Sequence, residues 1–301
     1  MTASVAPRPG RVRAFLRLVA IEHSVFALPF AYLAALVAMQ QHGGRVRWGV
    51  LALVTVAMVG GRTFAMAANR IIDRHIDARN PRTAGRELVT GAVSVRTAWT
   101  GAAVALAALL GAAAALNPLC LALAPLAVVP LVVYPYGKRF TDWPHAILAV
   151  AQAVAPVGAW LAVTGTFAGS GPAWVLAAGV GLWIGGFDLI YACQDAEVDR
   201  AIGVRSVPAR YGVRFALHAS TAAHVLTFAL FVWFGQLVGF GWPWWAGLAL
   251  AALAFGYQHA VVTPTDLSRV NRAFFTANGF VGLALFATAL ADLVLRLHLR
   301  A

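Results

Sequence analysis

Apolar residues along the chain fall into nine long runs, and short segments between the runs hold most of the charges. A run of about 20 apolar residues can cross the hydrocarbon core of a bilayer as a helix. Inside lipid every backbone polar group must be satisfied, so each run is expected to be helical. The pattern therefore predicts an all-α polytopic membrane protein with about nine transmembrane helices, in the segments 18–39, 48–72, 94–116, 119–136, 144–164, 172–193, 213–236, 242–262 and 272–295.

Two of these runs end in acidic side chains at regular spacing. Asn69, Asp73 and Asp77 recur every four residues, which on one helix places them along a single face. Asp195 and Asp199 repeat that spacing 122 residues later, so that Asp73 corresponds to Asp195 and Asp77 to Asp199. Carboxylates so close together repel one another, more strongly where the dielectric is low. We therefore expect a cation between the two segments.

Magnesium suits these residues because it prefers oxygen ligands and is commonly held by a few carboxylates together with substrate phosphates. Neither segment contains the Cys and His cluster that a zinc site would need, and Cys120 and Cys193 are interpreted as small buried apolar groups. The predicted Mg²⁺ ligands are Asn69, Asp73, Asp77, Asp195 and Asp199. The predicted substrate-binding residues are Asn69, Asp188 and the nearby basic side chains Arg70, Arg74, Lys138, Arg139 and Arg200, which would bind phosphate oxygens.

The net charge of +12 comes from 22 Arg and one Lys against eleven acidic residues. Such a charge can indicate nucleic acid, but these side chains lie in short loops between apolar runs, so no nucleic-acid partner is expected. The loops with more Arg should face the cytoplasm. This places the basic N-terminal segment 1–17 and both acidic segments at the cytoplasmic face of the cell (inner) membrane, and the C-terminus outside.

The full chain, residues 1–301, is interpreted as one transmembrane domain. Its one visible repeat is the acidic segment followed by a loop with Arg, Gly and Pro, at 77–86 and again at 199–210. The likeness predicts two matching half-sites. The sequence leaves the oligomeric state open.

The two motifs resemble those of the UbiA-type membrane prenyltransferases. The resemblance rests on Asn69-x-x-x-Asp73-x-x-x-Asp77, on Asp188-x-x-Tyr191 with Asp195-x-x-x-Asp199, and on the segment 134–141 between them. It covers nearly the whole chain. One departure is Arg70, where many members carry an acidic residue after the Asn. The resemblance implies nine helices around a central cavity, two Mg²⁺ ions, and transfer of a prenyl chain from its diphosphate to an aromatic acceptor.

The resemblance also implies roles for individual residues. Asp73, Asp77, Asp195 and Asp199 would act in catalysis through Mg²⁺, and the rings of Tyr134 and Tyr191 would face an allylic cation. Segments 22–30 and 77–88 are similar to the 4-hydroxybenzoate polyprenyltransferase-like branch, part of which is associated with menaquinone synthesis by the futalosine route. The acceptor would then be 4-hydroxybenzoate or a dihydroxynaphthoate, in ubiquinone or menaquinone biosynthesis. The donor would be a polyprenyl diphosphate of unspecified chain length.

Several alternatives remain beside this interpretation. Intramembrane acids also occur in cation-coupled transporters, although transporters usually place them near the bilayer midplane. Arg62, two turns before Asn69, is either an anchor for the acceptor carboxylate or a helix-packing residue. Glu22 and His23 could touch the acceptor or simply end a helix. The loop residues Arg79, Arg82 and Arg86 are attributed to topology and lipid head groups rather than to catalysis.

Overall fold

The computed structural model describes residues 11–19 and 28–301, and in these ranges the regular structure is helical. The segments around Glu22 and His23 lie outside the described residues. The prediction of an all-α protein is confirmed. The α-helices are α1 (Arg11–Leu18), α2 (Leu28–Gln41), α3 (Trp48–Ile72), α4 (Arg74–Asp77), α5 (Val95–Leu116), α6 (Pro118–Phe140), α7 (Pro144–Thr164), α8 (Gly171–Ala192), α9 (Ala196–Ile202), α10 (Val207–Tyr211), α11 (Val213–Val238), α12 (Trp242–Ala260), α13 (Val270–Arg272) and α14 (Asn278–Leu295).

In the described part of the chain each apolar run overlaps an α-helix, and the run 272–295 covers the end of α13, a π-helical turn and α14. In the described part of the chain, seven helical segments are long and apolar enough to cross a membrane. The other two runs form α2, which has 14 described residues, and α12, which has 19. The protein is thus a multi-pass membrane protein, while the count of nine spans and the central cavity stay predictions.

Short polar signals separate the helices. Ser94 caps α5, with its hydroxyl accepting a hydrogen bond from the Thr97 amide. Asn117 ends α5 in an extended conformation and caps α6 by accepting from the Cys120 amide, after which Pro118 occupies the first turn. The prediction that this Asn-Pro pair separates two helices is confirmed.

Helix α8 lies at the centre of the bundle, packed between α7 and α11. It is the most buried of the seven candidate spans. Large side chains fill the core around it, among them Trp160, Trp183 and Phe231, each fully buried. The C-terminal end of α8 leads directly into the segment that contains Asp195 and Asp199. The packing of α8 therefore determines the position of that segment.

Helices α3 and α5 approach each other closely at Gly60. A Cβ atom there would lie 2.8 Å from the carbonyl oxygen of Ala105, closer than real Cβ contacts come. We expect Gly60→Ala to lower the free energy of unfolding by about 1–3 kcal/mol through overpacking. The matched control is Gly111→Ala in α5, where a Cβ meets nothing within 4 Å. Thermal melting of both variants in detergent checks this, and equal Tm values would contradict it.

Contacts between loops separate the molecule into two ends. At one end, the backbone of Arg300 pairs with Gly44 and Val46, which joins the C-terminus to the α2–α3 loop. At the other end, the loop after α4 contacts the segment after α8 through Arg82 and Asp195. The sequence likewise predicted that the C-terminus and the two acidic segments lie on opposite sides of the membrane. Which end faces the cytoplasm stays a prediction.

Candidate active site

Asp73 in the first motif and Asp195 in the second each lie where the α-helix is interrupted. Helix α3 ends before Asp73, which has φ −91° and ψ 2°, and a 3₁₀ turn after α8 ends at Asp195, with φ −101° and ψ −1°. This sparsely populated region of backbone space is common at active sites. The expectation of one uninterrupted helix through each motif is therefore wrong. The Asp73 amide still donates to the Asn69 carbonyl and the Asp77 amide to the Asp73 carbonyl, so the spacing of four is kept.

Asp73 is fully buried and surrounded by cations from α6. Lys138 Nζ lies 2.7 Å from its Oδ2, and Arg139 Nη1 lies 3.0 Å from its Oδ1. Asn69 Nδ2 donates to the same Oδ2 over 3.3 Å. The end of α6 thus meets the first acidic motif, as the sequence predicted for Lys138 and Arg139.

Asp77, one turn further on, pairs with an arginine of the following loop. Arg86 Nη1 lies 2.5 Å from Asp77 Oδ1, and the Asp77 side chain is only 6% exposed. The Thr83 hydroxyl and the Asn80 amide both donate to the Asp77 backbone carbonyl. The loop therefore folds back onto the motif that precedes it.

Asp195, in the second motif, accepts hydrogen bonds from the loop that follows the first motif. Arg82 donates to both of its carboxylate oxygens, over 2.8 Å and 2.5 Å, and Asn80 Nδ2 donates to Oδ1 over 2.9 Å. Arg82 also donates to the Tyr191 hydroxyl and lies 5.1 Å from the centre of that ring. Burial alone would lower the pKa of Arg82, but the hydrogen bonds to Asp195 together with the nearby negative charges of Asp195 and Asp77 outweigh it and raise that pKa. Arg82 is therefore cationic.

Asp199 accepts a hydrogen bond from the Ser206 hydroxyl over 3.0 Å. The same hydroxyl caps α10. Its neighbour Arg205 ties this loop to α6, since its amide donates to the Lys138 carbonyl and its guanidinium forms two hydrogen bonds to Asp142. The Arg205 hydrogen bond lowers the pKa of the Asp142 carboxyl. Asp199 is thus linked, through the loop, to the helix end that carries Lys138.

Together these contacts bring the four motif aspartates to one end of the molecule. Arg82 and Asn80 connect the first half to Asp195, and Arg205 connects Lys138 to the loop beside Asp199. Within the described residues, no three His, Cys, Asp or Glu side chains stand close enough to hold a metal ion as they are placed. Three of the four aspartates instead pair with Arg or Lys.

The other predicted residues divide into those near this cluster and those apart from it. Tyr134 is close enough to Asp188, Asp73, Arg86 and Arg70 to be influenced by their charges, and Arg70 is influenced by Arg86 and Asp77. Arg74 instead contacts His75 at the surface, and Arg200 donates to the Ala209 carbonyl, so neither touches a motif carboxylate. Arg62 is half-buried on α3, two turns before Asn69.

Comparison with known proteins identifies the group to which this site belongs. The model of the UbiA prenyltransferase family matches residues 27–280. The chain belongs to the UbiA prenyltransferase family. It is therefore an enzyme that transfers prenyl groups, as the motifs indicated, and this replaces the transporter alternative.

Individual members are similar over most of their length. The 4-hydroxybenzoate octaprenyltransferase of Cupriavidus necator is 32% identical over 285 residues, which cover 93% of this UbiA-family chain and 98% of the relative. The enzyme of the same name from Methylobacillus flagellatus is 33% identical over 244 residues, covering 80% of this chain and 81% of the relative.

Solved structures support the fold. The apo structure of a UbiA homologue from Aeropyrum pernix K1 is 37% identical, with a TM-score of 0.81 over 90% of this chain and 98% of that one. A UbiA homologue from Archaeoglobus fulgidus, bound to DMAPP and Mg²⁺, shares the fold with a TM-score of 0.70 at 20% identity, over 93% of this chain and 99% of that one.

Sequence reasoning missed five residues that contact motif acids. Arg82 and Arg86 were attributed to topology, yet both pair with aspartates. Asn80, His145 and Ser206 were not singled out, and they bond Asp195, Asp188 and Asp199. A signal was present for the two arginines, because the loop with Arg, Gly and Pro repeats after both motifs. Arg79, in the same loop, is exposed as expected.

Proposed function

We propose that this UbiA-family enzyme transfers a polyprenyl group from an allylic polyprenyl diphosphate to a hydroxylated aromatic carboxylate, with Mg²⁺, in respiratory quinone biosynthesis. One observation carries the proposal: two acidic segments 122 residues apart meet at one end of the bundle, with four basic side chains among them. Carboxylates suit a hard divalent cation, and Arg and Lys suit phosphate oxygens. A magnesium diphosphate needs both.

The residues present fit Mg²⁺ by the chemistry of their donors. Asp73, Asp77, Asp195 and Asp199, with the Asn69 amide oxygen, offer oxygen ligands and no competing sulfur. Three of these carboxylates now hold a guanidinium or an ammonium, which shows that each position already binds a cation. When bound, Mg²⁺ supplies positive charge that neutralises the departing diphosphate.

The basic side chains take the diphosphate oxygens. Arg82, Arg86 and Arg139 present planar forks that match two phosphate oxygens at once, and Lys138 adds a point charge. Fixed positive groups around the leaving group stabilise the charge that grows on it as the allylic C–O bond breaks. Arg70, near Arg86 and Asp77, adds to the same field.

The aromatic side chains interact with the prenyl group of the donor. The Tyr191 ring already faces the Arg82 guanidinium, so its face accepts a cation. We assign it, with Tyr134, to the allylic cation. The cation then bonds to an electron-rich ring carbon of the acceptor beside its hydroxyl group, the C–H bond at that carbon breaks, and the released diphosphate takes up the proton. Asp188 binds the acceptor hydroxyl, and Arg62 pairs with the acceptor carboxylate.

The names of the similar enzymes favour 4-hydroxybenzoate as acceptor, and the sequence resemblance to the menaquinone branch favours a dihydroxynaphthoate. Both are hydroxylated aromatic acids. The site is assigned to the cytoplasmic face of the inner membrane, where the loops richer in Arg lie. A charged head at that face and a prenyl tail in lipid match the location of the acidic cluster.

Membranes containing the protein, given an allylic diphosphate, Mg²⁺ and one acceptor at a time, test the proposal. We expect a prenylated product by mass with 4-hydroxybenzoate or with a dihydroxynaphthoate, and one pyrophosphate released per product. Chelation by EDTA should stop the reaction and added Mg²⁺ should restore it. Membranes without the protein are the control. Absence of product with both acceptors, or activity unaffected by EDTA, would contradict the proposal.

A further inference from the structure

Asp188 differs from the other acids of the two motifs in the partner it has. In the part of the chain that the structure describes, its Oδ2 lies 2.7 Å from His145 Nδ1, and no Arg or Lys pairs with it. The His145 side chain is 6% exposed and the Asp188 side chain 16%. The pair is thus sheltered, with the carboxylate the more accessible member.

His145 is held in place by the packing of two helices. It is the second residue of α7, directly after Pro144. Its carbonyl would lie 3.3 Å from a Cβ atom at Gly185 in α8, so the two backbones touch near this point. Asp188 lies almost one turn further along α8. The absence of a side chain at Gly185 therefore lets the imidazole reach the carboxylate.

Nε2, the second ring nitrogen of His145, indicates why the imidazole has this orientation. His145 Nε2 is buried, and among the residues that the structure describes it has no hydrogen-bond partner. An imidazole kept only for its own hydrogen bonds would leave neither nitrogen unpaired, because a buried polar atom without a partner is costly. A carboxylate oxygen accepts hydrogen bonds, so we assign Nδ1, which faces Asp188, as the donor nitrogen. The ring is therefore oriented so that Nδ1 contacts the carboxylate, and Nε2 is left without a hydrogen bond among the described residues.

The position of Asp188 separates it from the diphosphate cluster. It precedes Asp195 by seven residues, or about 10 Å along a helix. Tyr134, on α6, is close enough to both Asp188 and Asp73 to be influenced by their charges. His145 occupies Oδ2 of the carboxylate and leaves Oδ1 to a further donor.

We propose that His145 is a positioning residue for the aromatic acceptor. Its Nδ1–H holds Oδ2 of Asp188, so that Oδ1 accepts the hydrogen bond of the acceptor hydroxyl group. The hydrogen bond that Oδ1 of Asp188 accepts from the acceptor hydroxyl group enriches the adjoining ring carbon in electrons. This inference rests on the proposed function, because it requires a hydroxylated aromatic acceptor.

Two amide variants separate positioning from simple packing. The amide nitrogen of Asn can take the place of Nδ1, whereas the longer Gln side chain carries its amide near the place of Nε2. If His145 positions Asp188, His145→Asn should keep most of the activity and His145→Gln should lose it. If His145 only fills space, the two variants should lose activity together.

Steady-state kinetics of the full chain in detergent test the inference, with an allylic diphosphate, Mg²⁺ and the acceptor that gives product. For His145→Gln we expect kcat/KM for the acceptor to fall about 100-fold, since a small misplacement of a reacting group can cost that much. The KM for the diphosphate should change less than about twofold, because His145 does not touch the diphosphate cluster. His145→Asn should stay within about tenfold of the wild type.

The exposed His218, on α11, provides the control, and His218→Asn should match the wild type. Equal losses in the Asn and Gln variants, or equal changes in acceptor and donor KM, would overturn the inference while leaving the proposed function intact. A wild-type enzyme that prenylates no aromatic acid would overturn both. Thermal melting of each variant identifies a loss that comes from unfolding.

Discussion

Replacing Asp195 with Asn is expected to reduce prenyl transfer by about 1,000-fold or more. Asn has nearly the shape of Asp but lacks the charge, so it cannot hold a divalent cation as a carboxylate does. It would also leave Arg82 without the anion that two of its nitrogens contact. Loss of one preorganised charged group in an active site typically costs 10²–10³ in rate, about 3–4 kcal/mol. A lost metal ligand should cost at least as much.

Product formation and pyrophosphate release, measured together in membranes, check this expectation. Asp266→Asn is the matched control, because Asp266 is an exposed acid in the loop after α12 and its side chain accepts a hydrogen bond from the nearby Ser268 amide. That variant should keep wild-type activity. Activity of Asp195→Asn near the wild-type value would remove Asp195 from the catalytic machinery.

Replacing Arg82 with Lys is expected to lower kcat/KM for the diphosphate about 100-fold. The charge is kept, but Lys cannot reproduce the fork that contacts both oxygens of Asp195 and the Tyr191 hydroxyl. The loop that carries Arg82 would then lose its main contact with the second motif. Hydrogen bonds to charged groups contribute about 1.5–3 kcal/mol each, so losing one or two of them accounts for the expected fall.

Arg79→Lys supplies the control, since Arg79 belongs to the same loop and is exposed. Initial rates over a range of diphosphate concentrations, at saturating acceptor, distinguish the two variants. Similar rates for the two variants would mean that Arg82 contributes to membrane topology and not to the active site. A fall in Arg82→Lys alone would place it in the site.

The sequence predicted the helices well because membrane spans leave a strong local signal. Runs of apolar residues matched helices closely, and Asn117-Pro118 marked a break that the structure confirms. The sequence predicted Lys138 and Arg139 as phosphate ligands near the acidic motifs, but it did not predict their direct pairing with Asp73.

Other features depend on contacts that periodicity does not encode. The α-helix is interrupted at Asp73 and again at Asp195, whereas regular spacing alone predicted a continuous helix through each motif. Arg82 reaches Asp195 across 113 residues of sequence. His145 and Asp188 lie on different helices, α7 and α8, which approach each other closely at Gly181 and Gly185. Such pairs follow from packing, which the sequence does not reveal residue by residue.

The pairing of Arg300 with Gly44 and Val46 has a practical consequence for handling the enzyme. It fixes the last residues at the far end of α3 from Asp73, a separation of about 37 Å at 1.5 Å per residue over the 25 residues of that helix. An affinity tag or fluorescent protein fused after Ala301 would therefore sit clear of the reacting groups.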